Sequence, residues 1–267
     1  MESRTLIFLK LGGSLITDKN QPLTACPGII QRIAKEIREA LEENPELQLL
    51  IGHGSGSFGH ATAKKYQTQD GGKDQKYWQG FSEVWRAARE LDQLVVEIFH
   101  KAGLPVIAFP PSAGVIARNR EFVSWDIRPI EFALAHGMIP LVQGDVIFDT
   151  KIGGTIFSTE KIFEYLCDNL KPDKILLAGL DKGVYSDPAN QNDILPDITP
   201  ENFMDVKSVL SGAEAVDVTG GMLAKVNLML TLVRNQPSLQ AQIFSGLEPG
   251  NIKRAINGEK LGTLVQS

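Results

Sequence analysis

The sequence predicts an α/β fold, with a largely parallel sheet and helices on both of its faces. Apolar runs of strand length alternate with amphipathic stretches of helix length along the chain, which is the pattern of βαβ units. Glycine clusters follow several of the apolar runs, as expected where parallel strands end at one edge of a sheet. With 267 residues, 43% of them hydrophobic, the chain is long enough for one large domain or for two lobes that share one sheet.

The first half of the chain contains two expected strands and two expected helices. Residues 5–13, TLIFLKLGG, predict a first strand that ends in glycines. Residues 27–43 predict an amphipathic helix, because a proline suits its first turn and isoleucines recur on one face. A second buried strand is expected at 47–54. Residues 61–77 are polar and contain glycines, so they predict a mobile segment, and 80–103 predict a long helix.

The same alternation continues to the end of the chain. The expected strands are 104–111, 138–149, 239–250 and 262–266, with a hairpin return at 151–158, and residues 173–186 are expected to form a strand followed by a loop. The expected helices are 128–137, 158–170, 251–258 and the part of 213–235 that follows a glycine pair. Residues 170–176 are the candidate boundary between two lobes.

Charge and cysteine content limit the location and the partners. The net charge of −5 argues against a broad nucleic-acid surface. Two cysteines without a CxxC motif disfavour a disulfide scaffold or a zinc site and fit a reducing compartment. Glycines and Lys10 interrupt the apolar N-terminus, and no apolar run approaches the roughly 20 residues of a membrane span. We therefore expect a cytoplasmic protein with neither nucleic acid nor membrane as a partner.

Five glycine clusters favour a phosphate site at one edge of the sheet. Glycine exposes backbone N–H groups, which bind anions, above all before a helix N-terminus. Any one cluster is also typical of an ordinary tight turn, but five at equivalent strand ends weaken that interpretation. The chain has no GxxxxGK[ST] motif, and GHGSGSFG matches the dinucleotide pattern only loosely. The clusters are residues 9–14, 51–60, 143–146, 178–185 and 218–226.

Three lysines near these clusters are candidate phosphate ligands. Lys10 lies inside the first apolar strand, where a lysine either extends to solvent or points its charge at a ligand. Lys19 lies in a polar loop and is equally well explained as a solvated lysine. Lys225 follows TGGM at a helix start, where ammonium and backbone amides can bind one phosphate together.

Three motifs in fixed order, KLGGSLITDK, GSGSFGH and DVTGGMLAKV, resemble those of the amino acid kinase superfamily. Within it the chain is most similar to the isopentenyl phosphate kinases, over almost its whole length. His60, which ends GSGSFGH, is shared by that family and by the fosfomycin kinases. Acetylglutamate, aspartate and uridylate kinases lack it.

The resemblance implies a three-layer αβα sandwich that transfers a phosphoryl group from ATP to isopentenyl phosphate. In one continuous fold, residues 1–170 would form the acceptor lobe and 171–267 the ATP lobe. The implied cofactors are ATP and Mg²⁺, with the metal carried mainly by the ATP phosphates and no protein ligand assigned to it. A homodimer is also implied.

The resemblance carries roles onto individual residues. The implied catalytic residues are Lys10, Lys19 and His60. The acceptor's phosphate would be bound by Gly54, Ser55, Gly59 and His60. ATP would be bound by Lys10, Gly12, Gly13, Lys19, Asp145, Asp181, Tyr185, Gly220, Gly221 and Lys225. Asp145 is expected to help order Lys10 or the metal.

Two residues depart from the family pattern. Glu160 stands where an aspartate is usual, after the hydroxyl pair of the hairpin, so it receives no role. Lys182 replaces the usual aspartate or valine in the nucleotide loop.

A phosphate acceptor explains why the clusters contain few carboxylates. The oxygen of a phosphate monoester is nucleophilic at neutral pH, because its second pKa is about 6, so no general base is needed. The organic tail requires an apolar pocket. The candidates are Phe81, Val84, Trp85, Ile147 and Ile156, with Ala88 and Ile152 as further possibilities; each is also a plausible core residue. The large rings of Phe81 and Trp85 are expected to limit the depth of the pocket.

Two other functions stay open. A phosphonate kinase of the fosfomycin type shares His60 and the glycine loops, but its acceptor is small and polar. A non-catalytic ligand-binding relative is disfavoured because all the expected cations are present. His53, His100 and His136 are interpreted as structural.

Overall fold

The computed structural model describes residues 4–187, 193–212 and 221–267. Its strands are β1 (Leu6–Leu11), β2 (Gln48–His53), β3 (Val106–Ala108), β4 (Ile116–Arg118), β5 (Glu121–Ser124), β6 (Ile139–Gln143), β7 (Asp145–Asp149), β8 (Gly153–Phe157), β9 (Lys174–Gly179), β10 (Asp197–Ile198), β11 (Gln240–Ser245) and β12 (Thr263–Val265). Its α-helices are α1 (Gly13–Ile16), α2 (Pro27–Glu43), α3 (Gly56–Tyr66), α4 (Gln75–Lys101), α5 (Arg128–Ala135), α6 (Thr159–Leu170), α7 (Phe203–Gly212), α8 (Gly221–Asn235) and α9 (Asn251–Ile256).

Eight strands form one central sheet in the order β10-β12-β11-β9-β1-β2-β6-β3. All neighbours pair in parallel except β11 and β12, which are antiparallel. The predicted α/β class with a largely parallel sheet is confirmed. Because β1, β2, β6 and β9 are parallel neighbours, their carboxyl ends meet at one edge, and this edge holds most of the glycine clusters.

Helices cover both faces of this sheet and make the three layers of the sandwich. On one face, α2, α4 and α9 pack their apolar stripes against β1 and β2. On the other face, α5, α6 and α8 pack against the same sheet. β1 is buried along its whole length because it lies in the middle of the sheet with a helical layer on each side. Lys10 is its one charged residue.

A second sheet of four strands, ordered β5-β4-β7-β8, stands beside the first. After β4 and β5 the chain returns to the central sheet for β6, and only Gly144 then separates β6 from β7 of the second sheet. β7 and β8 form the antiparallel hairpin that the sequence predicts. The Asp149 carboxylate accepts four backbone N–H groups, from Asn119, Arg120, Lys151 and Ile152, and so joins the two hairpins of this sheet.

The segment predicted to be mobile, residues 61–77, is instead largely helical. α3 continues to Tyr66, a 3-10 turn covers Thr68–Asp70, and α4 begins at Gln75. Its glycines permit close packing, since a Cβ at Gly72 would lie 2.5 Å from the Tyr77 ring. The prediction was wrong because it took these glycines for points of flexibility.

The sequence analysis did not predict five of the strands and helices that the structure forms: α1, β4, β5, β10 and α7. Each of these strands has four residues or fewer, so it offers little periodicity to detect. Among the helices of the described ranges, none is long and apolar enough to cross a membrane.

Candidate active site

A cavity of about 720 Å³ opens at the carboxyl edge of β1, β2 and β9. Its polar end is formed by the loops after these strands, and its other end by α3, α4 and β8. It brings together residues that are distant in the chain. The predicted site residues that line it are Lys10, Gly12, Gly13, Lys19, Gly54, Ser55, Gly59, Val84, Asp145, Ile156, Asp181 and Lys225.

The glycine loops after β1 and β2 touch each other. A Cβ on Gly13 would lie 2.4 Å from the Gly56 nitrogen, and one on Gly54 would lie 2.9 Å from the Gly13 nitrogen. Real Cβ atoms do not approach backbone atoms so closely, so these positions require glycine. Gly54 N–H donates to the Leu11 carbonyl at 3.0 Å, which holds the second loop against the end of β1. The two loops therefore behave as one backbone surface.

The side chain of Thr17 joins the same loops. Its hydroxyl donates to the Gly13 carbonyl at 2.8 Å and accepts the Ser57 N–H at 3.0 Å. Thr17 is buried. Replacing it would release both contacts at once.

The start of α3 presents unpaired N–H groups to the cavity. Ser55 is its N-cap residue, and the N–H groups of Ser55 and Gly56 have no acceptor among the described residues. The first N–H groups of a helix attract anions through the helix dipole and through direct hydrogen bonds. This arrangement suits a phosphate group.

Lys10 forms an ion pair with Glu160 at the base of the cavity. Its Nζ atom lies 2.5 Å from Glu160 Oε1. Burial acts to raise the pKa of the Glu160 carboxyl, but the charge and hydrogen bond of Lys10, aided by Lys225, outweigh it and lower that pKa. The Glu160 carboxylate is therefore favoured in its charged form and fixes the position of the Lys10 ammonium.

Glu160 lines the cavity and is the candidate site residue to which the sequence analysis gave no role. It was left without a role because it departs from the usual aspartate. The feature of the sequence that could have identified Glu160 is its position after Ser158 and Thr159, at the start of the helix that follows a hairpin. Asp145 was expected to order Lys10; the observed partner is Glu160.

Asp145 lines the cavity with backbone partners on both oxygens. Its carboxylate accepts N–H groups from Ser112 at 3.0 Å and from Val146 at 2.9 Å. Burial raises its pKa to about 6, and the charge of Asp92 adds to this, while the hydrogen bonds act in the opposite direction. Asp145 therefore changes charge only a little below neutral pH.

The remaining cations differ in exposure. Lys19 is exposed at the cavity mouth, and Lys225 is half-buried in the first turns of α8. Asp181 lines the cavity after β9. Tyr185 is outside the lining; its hydroxyl accepts the Lys182 N–H at 3.3 Å, within its own loop.

Two of the predicted residues lie partly or wholly outside the described part of the structure. The backbone of His60 lies in α3, but its side chain is outside the described part of the structure. Gly220 is outside the described residues. Gly221 begins α8 with a φ of 32° and is not in the lining, whereas its neighbour Met222 is.

The apolar wall of the cavity differs from the predicted set. Val84 and Ile156 line it, together with Ala88 and with Ala63 of α3. Phe81 belongs to the same small cluster as Val84, but it packs with Tyr77 and Val146 and is not in the lining. This shifts the wall toward smaller side chains.

Two other expected pocket residues are also absent from the wall. Ile147 is fully buried in the core on the α6 side of the sheet. Trp85 is 42% exposed and lies outside the lining. Helical periodicity identified the buried stripe of α4 but could not separate residues that face a cavity from residues that fill the core.

The carboxylates described in the cavity are not clustered as ligands of one metal ion. In the described ranges, no group of three or more His, Cys, Asp or Glu side chains is placed to hold a metal ion. The donors present suit an anion with several oxygens.

Comparisons with known proteins agree with this geometry. The profile of the Amino acid kinase family matches residues 5–245. Isopentenyl phosphate kinase from Methanocaldococcus jannaschii is 33% identical over 266 residues, covering 97% of this chain and 98% of that protein. Isopentenyl phosphate kinase from Methanothermobacter thermautotrophicus is 30% identical, again covering 97% of this chain and 98% of that protein.

Solved structures are similar over nearly the whole chain. An isopentenyl phosphate kinase structure has a TM-score of 0.81 at 28% identity, covering 98% of this chain and 100% of that one. The product complex of isopentenyl phosphate kinase from T. acidophilum has a TM-score of 0.77 at 27% identity, with the same coverage. A UMP kinase from Bacillus anthracis shares the fold, with a TM-score of 0.67 at 17% identity, covering 98% of this chain and 96% of that one.

Proposed function

Because this chain belongs to the amino acid kinase family, we propose that it transfers the γ-phosphoryl group of ATP to isopentenyl phosphate. The products are isopentenyl diphosphate and ADP. The observation that carries the proposal is one cavity that joins a cationic, N–H-rich end to a wall of small apolar side chains. The polar end suits two phosphate groups, and the wall suits a short hydrocarbon tail.

On the donor side, Lys10 neutralises charge on the transferred group. Its ammonium is fixed by Glu160, so it does not have to be reoriented when the reaction begins. Gly12 and Gly13 lie beside it. Gly13 contributes a backbone donor, whereas the Gly12 N–H already donates to the Ala178 carbonyl at 2.8 Å. Lys19 and Lys225 approach the nucleotide phosphates from the cavity mouth and from α8.

On the acceptor side, the phosphate of isopentenyl phosphate binds at the start of α3. The N–H groups of Ser55 and Gly56 donate to it, and Gly54 and Gly59 leave room for it. His60 follows Gly56 by one helical turn, which supports its role as a further donor.

The chemical step needs alignment rather than a base. An oxygen of the acceptor's phosphate attacks the γ-phosphorus, the bond between that phosphorus and the β-γ bridging oxygen breaks, and the electron pair leaves with ADP. The attacking oxygen is already ionised at neutral pH, because the second pKa of a phosphate monoester is about 6. The contact between the two glycine loops brings donor and acceptor within reach of each other.

Mg²⁺ fits this site as a companion of the nucleotide. The described cavity offers single carboxylates rather than a cluster, so the metal is held mainly by phosphate oxygens. Asp145 and Asp181 are the lining carboxylates free of the Lys10 ion pair. When bound, Mg²⁺ neutralises phosphate charge.

We further propose that residues 1–170 bind mainly the acceptor and 171–267 mainly ATP, within one continuous sheet. We also propose a homodimer. The outer strand β3 has β6 as its one partner among the described strands, and Ile107 on β3 is exposed. Light scattering at micromolar concentration measures the mass directly, and a monomer would contradict the dimer.

A coupled assay of ADP release tests the function. Purified protein is incubated with ATP, Mg²⁺ and isopentenyl phosphate, and ³¹P NMR identifies the product. We expect a diphosphate product with isopentenyl phosphate and little turnover with fosfomycin or uridine monophosphate. Preference for fosfomycin would favour the phosphonate kinase, and ADP release with none of the three would favour a binding protein.

The variant His60→Ala tests the acceptor side. Loss of one donor to the reacting phosphate is expected to lower kcat/KM for isopentenyl phosphate by about 10²–10³-fold. His100→Ala is the matched control, because His100 lies in the last turn of α4 and outside the cavity lining. Turnover of His60→Ala equal to that of the control would remove His60 from the site.

A further inference from the structure

His53 is a fully buried histidine that the proposed chemistry does not use. It is the last residue of β2 and directly precedes Gly54. Its carbonyl accepts the Thr159 hydroxyl at 2.7 Å and the Gly144 N–H at 3.2 Å, which ties this strand end to α6 and to the turn between β6 and β7. The backbone here is therefore held from two sides.

Both ring nitrogens of His53 face oxygen atoms. Nδ1 lies 3.2 Å from the Gly54 carbonyl, and Nε2 lies 3.3 Å from Asp92 Oδ1. The second Asp92 oxygen accepts from the Arg89 guanidinium. A carbonyl oxygen can only accept, so Nδ1 must carry the hydrogen that makes the contact with Gly54.

The hydrogen bond to Gly54 determines where the next amide points. The carbonyl and the N–H of a trans peptide point in opposite directions, and no cis peptide occurs in the described ranges. Since the Gly54 oxygen faces the buried ring, the Ser55 N–H points away from it. That N–H has no acceptor among the residues that the structure describes, and Ser55 lines the cavity.

The His53 ring is held by Asp92 of α4, a helix that also contributes to the apolar wall of the cavity. Val84 and Ala88 of α4 line the cavity, and Asp92 follows on the same stripe one turn later. From other elements, Asp145 of β7 is close enough to interact with the Asp92 charge, and Gln143 of β6 pairs with His53 in the sheet register. Arg89 is the partly exposed member of the network.

We propose that His53, held by Asp92, is a positioning residue that fixes the Gly54–Ser55 peptide so that the Ser55 N–H meets the acceptor's phosphate. This rests on the proposed function. The role is separate from that of His60, because His53 acts through the backbone and does not touch the substrate. It predicts a defect confined to acceptor binding.

The first test is ¹⁵N NMR of the histidine rings in the full-length wild-type protein. We expect one ring, absent from the spectrum of His53→Gln, with hydrogen on Nδ1, the nitrogen that faces the Gly54 carbonyl. A His53 ring with hydrogen on Nε2 alone would overturn the proposal.

The second test separates the two hydrogen bonds by kinetics. His53→Asn can keep a donor near the Nδ1 position, whereas His53→Gln can keep one near the Nε2 position. We expect His53→Gln to raise KM for isopentenyl phosphate about tenfold, equivalent to one hydrogen bond, with KM for ATP unchanged. His53→Asn should recover most of that loss.

The outcomes distinguish this proposal from the function on which it rests. A wild-type protein that does not phosphorylate isopentenyl phosphate would defeat both, and this is seen before any variant is made. An active wild type whose variants change both KM values equally, or neither, would overturn the role of His53 alone. Thermal unfolding identifies a variant that fails to fold, and the wild-type NMR result then decides.

Discussion

The polar end of the cavity and its apolar wall are built in different ways. At the polar end, the loops after β1 and β2 meet backbone to backbone, with Gly13 and Gly54 too close for any Cβ atom. The wall is made of side chains from α3, α4 and β8, chiefly Ala63, Val84, Ala88 and Ile156. The first region depends on backbone position, and the second on side-chain volume.

Because the two regions are built differently, we expect the polar end to determine the turnover rate and the wall to determine which acceptor is preferred. A change at the polar end displaces donors for every phosphate, so it should reduce turnover whatever the acceptor. A change in the wall alters the space for the tail, so it should change which acceptor is preferred. Variants in each region can therefore test whether turnover and acceptor preference depend on different parts of the cavity.

The largest effect is expected from Lys10→Met. Loss of the ammonium should lower kcat/KM by at least about 10²–10³-fold, because the transferred group loses its fixed cation. It also leaves Glu160 without its ion-pair partner, which is expected to reduce the free energy of unfolding by about 3–5 kcal/mol. Steady-state kinetics and urea unfolding measure the two effects.

The double variant Lys10→Met/Glu160→Gln separates catalysis from stability. Removing the unpaired charge should restore most of the free energy of unfolding, while kcat/KM stays low. Recovered turnover in the double variant would show that Lys10 serves the fold and not the reaction.

The next largest effect is expected from Gly13→Ala. A Cβ 2.4 Å from the Gly56 nitrogen must push the two loops apart, and a displacement of about 1 Å can reduce turnover about 10²-fold. Gly28→Ala is the matched control, since a Cβ there meets no atom within 4 Å. Normal turnover with every acceptor in Gly13→Ala would mean that loop contact is unimportant.

A smaller effect, on the pH dependence of stability, is expected from Asp145, whose buried carboxyl lies at the polar end of the cavity. Burial raises its pKa to about 6, so the folded state binds its proton more tightly than the unfolded state. The stability this provides is complete below about pH 4 and is lost as the pH rises to about 6, a change of roughly 2–3 kcal/mol.

Asp145→Asn removes this titration. The free energy of unfolding of the variant and of the wild type is measured at several pH values. The variant's value, relative to that of the wild type, should rise by roughly 2–3 kcal/mol between about pH 4 and pH 7. A difference that is constant with pH would mean that Asp145 does not titrate in this range.

The sequence predicted the polar end far better than the wall. Glycine clusters and Lys10 are local signals, and the parallel order of strands brings them to one edge without further information. The Lys10–Glu160 pair joins positions 150 residues apart, and its acid departed from the family pattern, so the pairing was not found. The His53–Asp92 contact was missed because a buried histidine next to a glycine loop has no distinctive spacing.

The wall could not be predicted because periodicity reports burial and not what a residue faces. Phe81 and Val84 belong to the same apolar stripe of α4 and to the same satellite core, yet of these two residues Val84 alone also lines the cavity. Only the packing of α3 and β8 against α4 distinguishes them. The prediction for residues 61–77 failed for a related reason. In the sequence, a glycine that permits close packing cannot be distinguished from one that permits motion.

The smallest effect is expected from Ala88→Leu, which narrows the wall. The added volume should raise KM for isopentenyl phosphate about tenfold, since pocket contacts of one or a few methylenes are worth roughly 1–3 kcal/mol. KM for ATP should not change, and an acceptor with a shorter alkyl tail should be affected less. Trp85→Ala is the control, because Trp85 is close in sequence but outside the lining. If Trp85→Ala altered acceptor selectivity and Ala88→Leu did not, the tail would bind along the exposed face of α4, where large aromatic side chains would limit its length.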